Sequence, residues 1–469
     1  MTSSLEELLA LQRAAFLKEP FPPIDTRLER LARLETMTVA HSESIAKAAA
    51  ADFGHRASAD TLLGDTLSAI AAIRHMRRHL QGWMRERRMP TPLYLRPGRS
   101  RIVRQPLGVV GVISPWNYPY QLAVVPAAAA IAAGNRVLLK PSEISARTSA
   151  LLRDLVAANF SSDEMAVVLG DASVARQFSA LRFDHLLFTG STAVGREVAV
   201  AAARNLTPVT LELGGKSPAI FDTDAGFDDY AARLAFGKLF NGGQTCVAPD
   251  YALIPAGSTE QFVASMKRAV VRLYPTLGTN PDYTAIVSER HLKRLSGLVA
   301  DAREHGATIV AINPANEVLP GPERKFPPTL VLNADPSMAV MREEIFGPIL
   351  PVLTYERLDE LISRLGIEER PLALYWFGHN RKRRERVLRA TAAGGVTVND
   401  TMWHFAAETL PFGGIGASGM GAYHGERGFL TFTHEKAVFQ QSRLTAAGWL
   451  YPPYGRRFDL LARVLRRIM

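Results

Sequence analysis

The sequence predicts an α/β protein: two doubly wound parallel-sheet domains with a small additional arm. Three observations carry this. Short, largely apolar segments such as residues 107–113 and 209–213 recur, and strands that are hydrophobic on both faces belong to parallel sheets covered by helices. Helical segments alternate with them from about residue 105 onward. The alternation restarts after Gly214-Gly215, a natural hinge, and 469 residues suffice for two or three domains.

Residues 4–85 read as helices, from apolar positions at three- and four-residue spacing such as Ile24, Leu28 and Leu31. Ser4-Leu-Glu-Glu7 reads as a capping box. Proline and arginine crowd residues 85–104, which suggests an extended hairpin leaving the main body. Strands are expected at 107–113, 136–140, 165–169, 185–188 and 209–213, with helices at 126–133, 149–159 and 193–203. In the second half, helices are expected at 227–240 and 260–273, and strands at 251–254, 329–332, 350–354, 374–377 and 396–398. The expected division is a dinucleotide-binding domain of residues 1–84 and 105–213 and a second domain of 214–400 that carries the cysteine. Residues 85–104 and 401–430 form an oligomerisation excursion and an active-site loop, and 431–469 a tail.

Composition narrows the function. Hydrophobic residues make up 47% and the net charge is +10. The arginines are scattered and no zinc-knuckle or RNA-binding motif accompanies them, so no nucleic-acid partner is expected. Residues 122–133, the longest apolar run, are too few to span a bilayer. Charges interrupt the first apolar stretch, so no signal peptide is expected and the reading is a soluble, cytoplasmic protein. Cys246 is the only cysteine. Intrachain disulfides and thiolate metal clusters are therefore excluded. The tail helix places Leu461, Val464, Leu465 and Ile468 on one face and arginines on the others. Packing on protein in a homodimer is the expectation, with weak peripheral contact to an anionic membrane as the alternative.

Several segments carry chemistry. Cys246 sits in Asn241-Gly-Gly-Gln-Thr-Cys246, among small and polar residues. That setting suits a thiolate nucleophile, although an ordinary core cysteine remains open on this window alone. Phe188-Thr-Gly190-Ser191-Thr-Ala-Val-Gly195 follows a strand and opens a helix, as a pyrophosphate site requires. Gly414-Ile-Gly-Ala-Ser-Gly419 matches the dinucleotide fingerprint by letter, but no strand precedes it and too little chain follows. Lys140 and Glu143 end a strand and can hold ribose hydroxyls, or they are two loop charges. Trp116-Asn117-Tyr118 offers a pinned amide for an oxyanion, or is a proline-bounded turn. Glu212 stands in an apolar strand beside two glycines, where desolvation would raise its pKa; otherwise it is a strand-end carboxylate facing water.

Together these segments resemble the aldehyde dehydrogenase superfamily over nearly the whole chain. The resemblance is carried by Pro115-Trp-Asn-Tyr-Pro119, Lys140-Pro-Ser-Glu143, Phe188-Thr-Gly-Ser-Thr192, Leu211-Glu-Leu-Gly-Gly-Lys216, Gly243-Gln-Thr-Cys246, Glu344-Ile-Phe-Gly-Pro348 and Pro411-Phe-Gly-Gly414. Ala248-Pro-Asp-Tyr251, Gly419-Met-Gly-Ala-Tyr-His-Gly425 and Tyr451-Pro-Pro-Tyr454 are similar to the class 3 branch, and most to its bacterial coniferyl aldehyde dehydrogenases. The resemblance implies Cys246 as nucleophile, Glu212 as general base and Asn117 as oxyanion donor. It implies that Trp116, Lys140, Glu143, Gly190, Ser191, Gly195, Glu344 and Phe346 bind the cofactor, NAD with NADP as the alternative. No metal is implied. Tyr118, Trp403 and Phe405, with Trp116, suggest an aromatic-walled tunnel for a bulky apolar aldehyde, aromatic or long-chain. The competing readings are acylation of coenzyme A, and a cysteine-dependent acyl transfer without redox chemistry.

Overall fold

The computed structural model describes residues 4–445 and 447–468. Helix α1 (Leu5–Lys18) opens on the expected capping box, with the Ser4 hydroxyl accepting from the Glu7 N–H and the Glu7 carboxylate from the Ser4 N–H. Helices α2 (Ile24–Ala40), α3 (Ser42–Phe53) and α4 (Ser58–Thr61) follow, then a π-helical turn (Leu62–Leu67) and α5 (Ser68–Trp83). Strands β1 (Arg87–Met89) and β2 (Arg99–Pro106) form the expected hairpin, antiparallel with Arg87 opposite Ile102.

The first alternation runs β3 (Val109–Ile113), α6 (Gln121–Ala132), β4 (Arg136–Lys140), α7 (Ala146–Asn159), β5 (Met165–Val167), α8 (Ala172–Ser179), β6 (His185–Thr189), α9 (Thr192–Ala203) and β7 (Val209–Glu212). The second runs β8 (Pro218–Phe221), α10 (Phe227–Leu239), β9 (Tyr251–Pro255), α11 (Thr259–Leu273), α12 (Glu289–Glu304), β10 (Thr308–Ala311), β11 (Thr329–Leu332), α13 (Ala339–Arg342), β12 (Ile349–Tyr355), α14 (Leu358–Ile367), β13 (Ala373–Phe377), α15 (Arg381–Ala390) and β14 (Gly395–Val398). The chain ends with α16 (Trp403–Ala406), β15 (Gly419–Met420), α17 (Gly425–Thr431), β16 (Thr433–Gln440) and α18 (Arg456–Ile468). The Ile468 side chain lies outside the described residues.

Two sheets organise these elements. A six-stranded sheet has the order β15-β7-β6-β3-β4-β5, and a seven-stranded sheet the order β10-β11-β12-β9-β8-β13-β14. Both are parallel except at one edge, where β15 and β10 run antiparallel. In the first sheet the chain leaves the central β3 toward β4 and β5, then returns to β6 and β7 on the other side. The switch point between β3 and β6 opens a crevice at the strands' carboxyl ends. A third, antiparallel sheet, β1-β2-β16, makes the arm; strand β16 had no counterpart in the sequence expectation.

The structure moves one boundary with a clear cause. The helix expected at 126–133 begins at Gln121, and Pro126 lies inside it. Every residue of α6 is buried, so its position is set by packing on the sheet, which outweighs the hydrogen bond that proline forfeits. Helices α12, α14 and α15 were not anticipated; in α12 and α15 the polar composition leaves only a narrow buried stripe, such as Leu292, Leu295 and Leu298 in α12. The glycine-rich stretch 414–419 opens no helix: Gly416 bridges to Gly419, and Gly419 then pairs with Glu212 at the edge of the first sheet.

Candidate active site

Strands β3, β4, β6 and β7 stop at one edge of the first sheet. Residues 114–119, 140–143, 190–195 and 212–215 therefore gather there, although they are scattered in sequence. Ser191 caps α9, its hydroxyl accepting from the Val194 N–H at 3.4 Å. A Cβ on Gly195 would lie 2.6 Å from Leu213 Cδ2, so only glycine lets α9 sit this close to the sheet. Lys140 is fully buried, with its Nζ donating to the Pro141 carbonyl at 2.9 Å and lying 3.8 Å from the Glu143 carboxylate. Burial lowers the Lys140 pKa, and Glu143 opposes that shift.

The chain that builds the second sheet brings its own turn to this edge. Residues 240–243 form a tight turn between α10 and Cys246, with Asn241 at φ 55° and Gly243 at φ 77°. A Cβ on Gly243 would lie 2.5 Å from the backbone of Gly347, which ties this turn to the segment of Glu344 and Phe346. Asn241 Nδ2 donates to the carbonyls of Asn117 (3.1 Å) and Gln244 (3.2 Å). Asn117 Nδ2 in turn donates to the Gln244 carbonyl at 3.1 Å. Asp60 accepts from the Asn241 N–H at 3.0 Å and from the Thr284 hydroxyl at 2.5 Å. The Tyr118 and Thr245 hydroxyls are 2.6 Å apart, and the Tyr375 hydroxyl donates to the Val247 carbonyl. Cys246 is thus held on both sides by groups from distant parts of the chain.

The electrostatics are those of a dry site. Glu212 is 2% exposed, and neither carboxylate oxygen has a hydrogen-bond partner among the described residues. Burial pushes its pKa well above the usual carboxylate range. It is the desolvated acid and not the strand-end carboxylate facing water. Burial also pushes the Cys246 thiol up to about 12, and the nearby Glu344 and Glu212 carboxyls add to the shift. Glu344 lies against Gly214 and accepts from the Gly215 N–H; burial, with Asp250, raises it to about 8. Lys216 is paired with Asp250, and Asp250 accepts from the Ile345 N–H at 3.0 Å. The hinge region and the Glu344 segment are thereby joined.

A cavity of about 310 Å³ reaches Cys246. Tyr118, Trp403 and Phe405 line it as expected. Trp116 does not line it; its ring stands edge-on to Phe346, with centroids 5.4 Å apart. In the tight turn after β3 the two aromatic side chains face opposite ways, and Trp116 falls on the Phe346 side. Leu63 and Leu67 of the π-helical turn, Phe236 of α10, Phe240 just beyond its end, and Glu408 also line the cavity. Nothing local in the sequence marks these, since a Phe pair four residues apart on a helix reads as core.

A mostly apolar cavity thus reaches the lone thiol, a buried acid lies within its electrostatic reach, and a crevice of the nucleotide-binding kind opens at the same sheet edge. Residues 6–438 match the model of the aldehyde dehydrogenase family. A probable coniferyl aldehyde dehydrogenase of Pseudomonas aeruginosa is 48% identical over 98% of this chain and 95% of its own. The substrate-bound state of Staphylococcus aureus AldH superposes with a TM-score of 0.93 at 36% identity, covering 99% of this chain and 100% of the other. A Mycobacterium tuberculosis aldehyde dehydrogenase complexed with NAD+ superposes with a TM-score of 0.83 at 28% identity, covering 94% and 91%. The chain belongs to the aldehyde dehydrogenase family, and it oxidises aldehydes with a nicotinamide cofactor. Among the described residues no cluster of His, Cys, Asp or Glu could hold a metal ion, and no helix is long and apolar enough to cross a membrane.

Proposed function

We propose that this protein oxidises aromatic, coniferyl-type aldehydes to carboxylic acids through a thioester on Cys246. The observation that carries the reading is the placement of the thiol in the wall of an aromatic-lined cavity, within electrostatic reach of the buried Glu212. The cofactor crevice fits a dinucleotide: Gly195 permits close approach at the start of α9, Ser191 caps it, and Lys140 and Glu143 stand at the end of β4, on the far side of β3. Trp116, Gly190, Glu344 and Phe346 complete the crevice. When bound there, the nicotinamide supplies the two-electron acceptor for the aldehyde hydride.

The chain's own residues do the rest. The Cys246 sulfur adds to the aldehyde carbon. Asn117 Nδ2 carries two protons and spends one on Gln244, so the other is free for the developing oxyanion, together with the Cys246 N–H. Once the adduct is oxidised to a thioester, Glu212 takes a proton from water. The hydroxide adds to the thioester carbon and the thiolate leaves. A positioned base of this kind is worth about 10²–10⁴-fold.

Within this reading Glu143 repels a 2′-phosphate and favours NAD over NADP. Residues 1–84 and 105–213 bind the cofactor, 214–400 carry the thiol, 85–104 and 401–430 serve oligomerisation and the active-site loop, and 431–469 form the tail. The protein works in the cytoplasm as a homodimer. The arm supports dimer formation, since β16 leaves one edge unpaired among the described residues and exposes Phe439. Initial rates over aromatic, long-chain and short-chain aldehydes, with NAD and NADP, with and without coenzyme A, test the whole. The highest kcat/KM is expected for aromatic aldehydes with NAD, with free acid as product. Higher efficiency on short aliphatic aldehydes, equal use of NADP, or an acyl-coenzyme A product would each overturn the corresponding part.

A further inference from the structure

The cavity wall is mostly apolar, with a few hydroxyl and amide side chains, and Glu408 is the only carboxylate among its lining residues. Its backbone is fixed between α16 and the bridge of Phe412 to Tyr423, where Phe412 and Tyr423 exchange hydrogen bonds of 2.8 and 2.7 Å. Its Oε2 is shielded from solvent and has no hydrogen-bond partner among the described residues. No lysine or arginine among them pairs with it, whereas most other carboxylates close to the core have such a partner or several backbone donors, as Asp65 and Glu164 do. Burial raises its pKa to about 7, against a single backbone donor, the Gly425 N–H. A carboxyl with one oxygen left without a donor in a mostly apolar wall costs free energy unless something outside the chain bonds to the group.

We propose that Glu408 determines specificity by accepting a hydrogen bond from a hydroxyl carried on the ring of an aromatic aldehyde whose carbonyl reaches Cys246. The inference rests on the aromatic-substrate reading above. About 310 Å³ is at the small end of the range for ligand cavities, room for a single-ring aldehyde. Trp403, Phe405, Phe236 and Phe240 offer such a ring flat apolar contacts. None of those side chains can accept a hydrogen bond from a ring hydroxyl; Glu408 can. A site built to bond a hydroxyl discriminates strongly against the analogue that lacks it, because the buried acceptor is then left unpaired.

A purely structural role, capping α17 through the Gly425 N–H, predicts something different, and a matched substrate pair separates the two. The full-length protein with NAD is assayed on 4-hydroxycinnamaldehyde and cinnamaldehyde, which differ only in the ring hydroxyl, for the wild type, Glu408→Gln and Glu408→Ala. Melting temperatures are recorded alongside. The wild type should favour the hydroxylated aldehyde. Glu408→Ala should lower its kcat/KM about 10–100-fold, mainly through KM, while cinnamaldehyde changes by no more than about threefold. Glu408→Gln keeps an acceptor oxygen and the side-chain shape, and should fall between. If both aldehydes lose efficiency together, or the melting temperature falls with no change in the substrate ratio, Glu408 is a cap and the inference is wrong. A wild type with no preference for the hydroxyl also overturns it. If neither cinnamaldehyde is oxidised while aliphatic aldehydes are, the aromatic reading itself has failed.

Discussion

Glu212 and Cys246 face the same constraint. Each must ionise in a dry setting, and each is held back by burial. Burial shifts the thiol up to about 12, so its ionised fraction rises with pH across the neutral and alkaline range. Inactivation by iodoacetamide should therefore accelerate steadily from about pH 7 to about pH 10, with one adduct in the intact mass. A rate that levels off near neutrality would mean the thiolate is already stabilised. Glu212 serves deacylation in the proposed chemistry. Glu212→Gln should leave a burst of NADH about equal to the enzyme concentration, followed by turnover slowed about 10²–10⁴-fold. Loss of the burst as well would place Glu212 in an earlier step.

Among the elements, the turn between α10 and Cys246 is the most demanding. Asn241 and Gly243 adopt positive φ, and the Gly243 Cα faces the Gly347 backbone, which cannot yield as a side chain would. Gly243→Ala should shift the cysteine turn and the Glu344 segment together, with loss of nearly all activity and a lower melting temperature. The α9 contact is softer. Gly195→Ala meets the Leu213 side chain at 2.6 Å and should cost about 1–3 kcal/mol, partly offset by the helix propensity of alanine. Its signature is a raised KM for the nucleotide with the aldehyde KM nearly unchanged, measured by initial rates. A raised aldehyde KM instead would separate α9 from cofactor binding.

Over the whole molecule, the tail is the least enclosed part. Helix α18 rests on the turn at Ala447–Leu450 and on Leu93–Leu95 of the arm. Trp449, Tyr451, Tyr454, Leu460 and Val464 remain exposed on the single chain. In the proposed homodimer this surface packs on protein. Removal of residues 451–469 should then lower the melting temperature or shift the protein toward monomer in sedimentation. Unchanged stability and size, with only the full chain sedimenting on anionic liposomes, would favour a membrane surface instead.

The alternation of apolar strands and helices, the capping box of α1, the restart after Gly214-Gly215 and the turns that gather at the sheet edge were all legible in the sequence. Each is a local signal, a period or a turn chemistry read within about ten residues. The pairing of Gly419 with Glu212, the start of α6 ahead of Pro126, and the opposite facing of Trp116 and Tyr118 were decided only by the tertiary structure. So were the latch from Asp60 to Asn241 and Thr284 and the place of Glu408 in the cavity wall. These depend on which surfaces of the folded chain meet. The free energy of such contacts comes from burial and hydrogen bonding between residues far apart in the chain, and no local spacing encodes it.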